Sequence, residues 1–170
     1  SNVLFENEYI CIGSTAYEQY PIICYEDSTT FIVLEGMIYN FNDIEIKERL
    51  FTIAREIREN GPFKETISIL LAEADGEYII VIYDKHTENI CIFNDALGRL
   101  PLFWHIDDNA LAFSREIKFL IHIAGLSEFN RLAITEYLLY GFALGERTLI
   151  EGVERLLPAT ILNYNRSEHS

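Results

Sequence analysis

The chain has 170 residues, with 27 acidic and 13 basic side chains and a formal charge of −14. Apolar residues make up 49% of it and aromatics 13%, which excludes a disordered polymer and suits one domain with a sizeable core. The first 46 residues carry eight acids and no Lys or Arg, so phosphate backbones are repelled and nucleic acid is excluded as a partner.

No run of 18 apolar residues spans a membrane, and no charged-then-apolar signal segment opens the chain. Cys11, Cys24 and Cys91 are odd in number and lack C-x-x-C spacing. They sit in β-like apolar runs and read as buried free thiols of a cytoplasmic protein. His105 and His122 have no partner at metal-ligand spacing, so no metal site is expected.

In chain order, Tyr9–Ile12, Pro21–Tyr25 and Thr30–Leu34 read as short strands broken by Gly13 and Glu26-Asp27-Ser28. Asn42 or Asp43 then caps a helix to about Asn60, with Ile46, Leu50, Ile53, Ala54 and Ile57 at helical spacing and Gly61-Pro62 as its stop. A second helix follows over Phe63–Ala74. The clearest hairpin pairs Tyr78–Tyr83 with Ile90–Phe93 across a polar turn at 84–89. Its first strand is apolar on both faces, as expected of a central strand covered by two layers.

Leu102–Ile106 and Ala110–Phe113 pair around Asp107-Asp108-Asn109. Helices are expected at Arg115–Ala124 and, capped by Asn130, at Arg131–Tyr140. Thr160–Asn163 reads as a last strand. The domain is set at residues 1–164, with 165–170 as a linker toward a further domain. Strands grouped with helices, rather than alternating strictly with them, point to an α+β architecture.

Four segments in order then resemble the glutaminase domain of asparagine synthetases, the class II glutamine amidotransferases. Leu34-Glu35-Gly36-Met37-Ile38-Tyr39-Asn40 is similar to N-G-E-I-Y-N. Asp95-Ala96-Leu97-Gly98-Arg99-Leu100-Pro101-Leu102-Phe103 is similar to D-P-L-G-R-K-P-L-Y. Phe113-Ser114-Arg115-Glu116-Ile117-Lys118 resembles F-A-S-E-I-K. Glu136–Phe142 and Arg147–Val153 form the fourth, followed by Leu156-Leu157-Pro158-Ala159 where the family closes on L-P-P-G.

The resemblance implies an N-terminal-nucleophile (Ntn-hydrolase-like) αββα sandwich, two antiparallel sheets stacked between helical layers. In that family a first-residue thiol attacks the glutamine amide with help from its own α-amino group. A thioester forms, and the ammonia passes to an ATP-dependent domain that adenylates a carboxylate.

That chemistry needs a nucleophile, an oxyanion hole and a grip on the glutamine head group. The family's opening Cys-Gly-Ile is not seen. Ser1-Asn2 reads as a cleavage scar rather than a nucleophile, and Cys11 and Cys24 are internal. Glu35 replaces the oxyanion-hole Asn, and an ionised carboxylate cannot donate a hydrogen bond. Gly36 is kept, while Met37 replaces a substrate-holding Glu. No cation stands in Gly13–Pro21 where the family places an Arg, and the G-S-D-x-E loop between the two helices is missing.

No catalytic residue is therefore assigned. Glu35, Gly36 and Met37 are expected to mark a degenerate glutamine site, with Gly36 to Asn40 kept as a strand-turn-helix corner. Asn40, Asp95, Gly98, Arg99, Pro101, Glu116 and Lys118 are expected to keep the scaffold and its contact with a synthetase half. No S-G-G-x-D-S loop occurs, so neither adenylation nor a cofactor is expected of this chain.

The reading this favours is a non-catalytic glutaminase-like domain, resembling those of β-lactam synthetases. It would support an ATP-dependent amide-forming domain in cis or on another chain, with a homodimer also open. One alternative is a working glutaminase whose Cys strand lies upstream of Val3. Another is a small-molecule sensor built on the altered pocket.

Overall fold

A computed structural model describes residues 2–107 and 110–165. The tip of the turn at Asp108-Asn109, Ser1 and positions 166–170 of the expected 165–170 linker lie outside the described residues, while Asn165 belongs to the last strand, paired with Asn89. The strands are β1 (Asn2–Glu6), β2 (Cys11–Ser14), β3 (Ile22–Glu26), β4 (Thr30–Ile38), β5 (Gly76–Asp84), β6 (Asn89–Asn94), β7 (Phe103–Ile106), β8 (Leu111–Ser114), β9 (Glu154–Arg155) and β10 (Ile161–Asn165). The helices are α1 (Asp43–Arg58), α2 (Phe63–Glu73), α3 (Ile117–Ala124) and α4 (Arg131–Tyr140).

The central sheet is antiparallel, in the order β10-β6-β5-β4-β3. Side chains alternate between faces along each strand, and both faces are apolar. Ile32, Leu34, Ile80, Ile82, Cys91 and Phe93 point to one side and pack against Ile46, Leu50, Ile53 and Ile57 of α1 and Ile67 and Leu70 of α2. Phe31, Val33, Ile79, Val81, Ile90 and Ile92 point to the other and meet Leu102, Trp104, Leu111, Phe113 and Leu156. β5 is the middle strand, as its two-faced apolar run requires.

The second layer is a three-stranded antiparallel sheet, β8-β7-β9, together with a separate β1-β2 hairpin. Phe5 of the hairpin stacks on Phe31 with ring centroids 4.6 Å apart. α3 packs against β7 and β8 on the far side, completing an α+β sandwich of helices, sheet, sheet and helix. Among the described residues no helix is long and apolar enough to cross a membrane.

α1 starts with a reciprocal cap. The Asn42 carboxamide oxygen accepts from the Ile44 and Glu45 N–H groups, each at 3.0 Å, and the Glu45 carboxylate accepts from the Asn42 N–H at 2.9 Å. Residues 59–62 alone link α1 to α2, so the family's inter-helix loop has no room there.

Two strands lie outside the expectations, and two expectations need correction. β1 is unforeseen because its apolar Val3, Leu4 and Phe5 run together without alternation, and it is fixed by its pairing with β2. β9 is a two-residue edge strand, too short for any periodicity. β4 continues through Gly36 to Ile38, so those positions pair with β5 rather than form the corner, which begins at Tyr39. Only Cys91 of the three thiols is buried. Cys11 alternates with the inward Ile12, and Cys24 lies on the edge strand β3, so both are exposed.

Candidate functional site

The expected degenerate glutamine site is the C-terminal half of β4. Glu35 receives two partners from distant parts of the chain. The Tyr20 hydroxyl donates to Oε1 at 2.9 Å, and the Arg115 guanidinium forms an ion pair with the same oxygen. Arg115 also donates to the Tyr20 hydroxyl at 3.2 Å, closing a three-membered network. Burial, above all, pushes the Tyr20 hydroxyl above the ordinary tyrosine range, so it stays a neutral donor.

Read from the sequence, Glu35 has no assigned partner, and the structure supplies one. The acidic first quarter has no cation of its own, but the fold brings one from the β8–α3 junction. The signal was present in the sequence. Glu35 stands where the resemblance has Asn, and Arg115 stands where F-A-S-E-I-K has Ser. These two departures from separate motifs meet in a single ion pair.

Gly36 has φ +96°, in the region that favours glycine. A Cβ there would lie 2.1 Å from the Glu77 carbonyl oxygen and 2.9 Å from Leu100 Cδ1. Its N–H donates to the Pro21 carbonyl at 2.9 Å. The backbone donor that the resemblance assigns to an oxyanion hole is thus engaged within the protein. Met37 is 51% exposed and points away from the core.

The remaining predicted residues gather around the α2–β5 turn at Asp75-Gly76. Asn40 donates through Nδ2 to the Glu73 carbonyl and accepts from the Asp75 N–H, both at 2.8 Å. From the other side the Arg99 guanidinium donates to the Gly76 carbonyl at 3.1 Å. Asp95 is buried and organises the loop that carries Arg99. Its carboxylate accepts from the N–H groups of Leu97 at 2.9 Å and Arg99 at 3.1 Å, with Tyr78 at 3.4 Å.

Gly98, at φ +59°, lets that loop close on Pro158, whose Cγ would be 3.0 Å from an added Cβ. Two motifs 60 residues apart therefore clasp one turn, and Leu100 seals it against Gly36. Pro101, Glu116 and Lys118 are exposed, and Glu116 caps α3 through backbone geometry with its N–H on Ser114 Oγ at 3.0 Å.

A second polar cluster belongs to the fourth motif. Glu136, buried on α4, accepts from Arg147 Nε at 3.1 Å and from the Leu144 N–H at 2.9 Å. The Arg147 hydrogen bonds, first of all, hold its carboxyl below the usual glutamate range. His105 is tied to the Gly152 carbonyl at 2.6 Å and His122 is exposed. Among the described residues no group of three His, Cys, Asp or Glu side chains is placed to hold a metal.

Residues 10–170 match the glutamine amidotransferase domain family. Two proteins of Methanocaldococcus jannaschii are similar. The one named asparagine synthetase (glutamine-hydrolyzing) 1 is 32% identical over 124 residues, 71% of this chain and 22% of that protein. The one named asparagine synthetase (glutamine-hydrolyzing) 2 is 29% identical over 122 residues, 65% of this chain and 22% of that protein. The chain thus spans little more than a fifth of the curated relatives it matches.

Proposed function

The chain belongs to the glutamine amidotransferase domains of asparagine synthetase type, and from that premise we propose that it is a non-catalytic member of them. Its role is to support an ATP-dependent, amide-forming synthetase domain without supplying ammonia from glutamine. The observation that carries this reading is the Glu35–Arg115 ion pair, beside a Gly36 N–H already given to Pro21.

Catalysis of acyl transfer needs donors left free for charge that develops in the transition state. At this end of β4 the amide donor is replaced by an acceptor, that acceptor is neutralised internally, and the backbone donor is engaged. Loss of one such donor alone lowers the rate about 10²–10³-fold. Cys11 is internal and lacks the free α-amino group that the family's mechanism uses, and neither of the other thiols is activated. Burial pushes the buried Cys91 thiol up to about 12, and it raises the edge-strand Cys24 thiol as well.

The scaffold half of the site supports the same reading. Asn40, Asp95, Gly98 and Arg99 hold the Asp75-Gly76 turn, so their retention has a structural cause that needs no substrate. Contact with a synthetase domain through the exposed Leu97, Arg99 and Pro101 loop is part of the proposal. Free cysteines fit a reducing, cytoplasmic setting.

The test is glutamate release from glutamine, measured with this chain and with a polypeptide extended upstream of Val3. No turnover above buffer is expected from either. Turnover at an ordinary enzymatic rate in the extended form overturns the proposal in favour of a working glutaminase. A raised melting temperature with a particular amino acid or amine, without turnover, replaces it with a sensor.

A further inference from the structure

We infer that the outward face of α4 and the turn after it dock against an apolar face of the synthetase domain, in the longer polypeptide of which this chain is one part. The inference rests on the reading above that such a domain exists.

α4 is ten residues long, yet it buries only Ala133 and Glu136. A helix of that length has little stability of its own in water and needs tertiary packing to persist. The packing it offers points outward. Leu132, Tyr137, Leu138, Leu139, Tyr140 and Phe142 are all more than half exposed, with Leu138 at 79% and Leu139 at 70%. From Leu132 to Leu144 the only ionisable carboxylate or cation is Glu136, and it is turned inward to Arg147. Arg131 at the start of α4 is the one exposed charge of the helix, and beyond it these exposed apolar side chains are of the kind that marks an interaction site.

The charge of the molecule argues against a second copy as the occupant. Pairing two chains of −14 would bring two strongly acidic bodies together, and their net charges would oppose the contact. The relatives argue for a domain in the same polypeptide, because each is more than four times the length matched here. The Glu136–Arg147 pair fits this role: it fixes the loop carrying Phe142 and Leu144 against α4, so the apolar face is presented in one shape.

Hydrogen exchange of the amides over residues 133–143 tests the inference, comparing this chain with the longer polypeptide. Exchange at least about tenfold slower in the longer polypeptide is expected. The double substitution L138E/L139E should abolish that protection, while the 170-residue chain carrying it keeps its Tm. Equal exchange in both forms overturns the inference. So does protection that rises with the concentration of the 170-residue chain, which would assign the face to a second copy, or a native reading frame with no further domain. Glutamate release is measured on the same samples: turnover with α4 protected defeats the non-catalytic reading and leaves the docking intact.

Discussion

Glu35 and Arg115 lie 80 residues apart in sequence and share an ion pair that joins the central sheet to the second layer. Glu35 sits on β4, while Arg115 leaves β8 just before α3. The side chains are 20% and 30% exposed, so the pair is screened less than a surface salt bridge and each member depends on the other. Hydrogen bonds to charged groups contribute about 1.5–3 kcal/mol. Glu35→Ala and Arg115→Ala should each cost about that much in urea unfolding. Glu35→Ala combined with Arg115→Ala should cost clearly less than the two losses added. Strict additivity would mean that the two residues do not act as a unit.

Gly36 separates two effects usually confounded at a glycine. Its positive φ disfavours any side chain, and the Glu77 carbonyl occupies the place a Cβ would take. At Gly125, which ends α3 at φ +65°, nothing lies within 4 Å of an added Cβ. Gly125→Ala should therefore cost only the backbone term, about 1–2 kcal/mol. Gly36→Ala must also push β4 and β5 apart and should cost about 3 kcal/mol or more. Thermal unfolding of both variants decides it: equal losses would show that steric crowding at Gly36 is relieved without harm.

The architecture was legible wherever local pattern and tertiary burial agree. Ile46 to Ile57 at helical spacing and the unbroken run Tyr78–Tyr83 gave α1 and the central strand correctly, because each has one physical explanation. β9 and β1 were not legible, since their existence depends on neighbours rather than on their own side chains. The candidate site was half legible. Motif comparison located Glu35, Gly36 and Asp95, but charge was read along the chain and not across it, so Arg115 went unpaired with Glu35. The apolar α4 gave a correct helix and concealed the fact that its face is uncovered. Periodicity reports that a face is apolar; it does not report what lies against it.

The thiols give a prediction about access. Cys91 is fully buried between β5 and β10, with its thiol pushed up to about 12 by that burial. Cys11 and Cys24 are exposed. A thiol-specific chromogenic reagent at neutral pH should titrate two of the three cysteines in the folded chain and the third only after denaturant is added. Cys24 should react more slowly than an unperturbed thiol, because partial desolvation on the sheet edge first and Glu26 second raise it. Three rapidly reacting thiols would mean that the β5–β6–β10 region opens readily.

Acid should weaken the fold through Asp84. Its carboxylate is almost wholly buried, which alone would raise its pKa. The Thr87 N–H at 2.9 Å, the Arg58 Nε at 2.5 Å and the His86 N–H at 3.0 Å oppose that burial and together bring it below the usual aspartate range. Arg58 also donates to the hydroxyls of Thr29 and Thr30, at 2.8 and 2.7 Å, so the network ties α1 to the β3–β4 turn. A carboxyl whose folded pKa is depressed stabilises the native state at pH above its unfolded value of about 3.9. That stability is lost as pH falls through the lower, folded value. The urea midpoint of the native chain should therefore drop steeply below about pH 4. Asp84→Asn keeps the size of the side chain and removes the titration. It should be less stable at neutral pH, by about 1.5–3 kcal/mol for the charged hydrogen bonds it weakens. Its midpoint should also fall less steeply in acid, so that the two curves converge below about pH 3. Parallel curves across that range would assign acid sensitivity to the other carboxylates and leave Asp84 a purely structural acceptor.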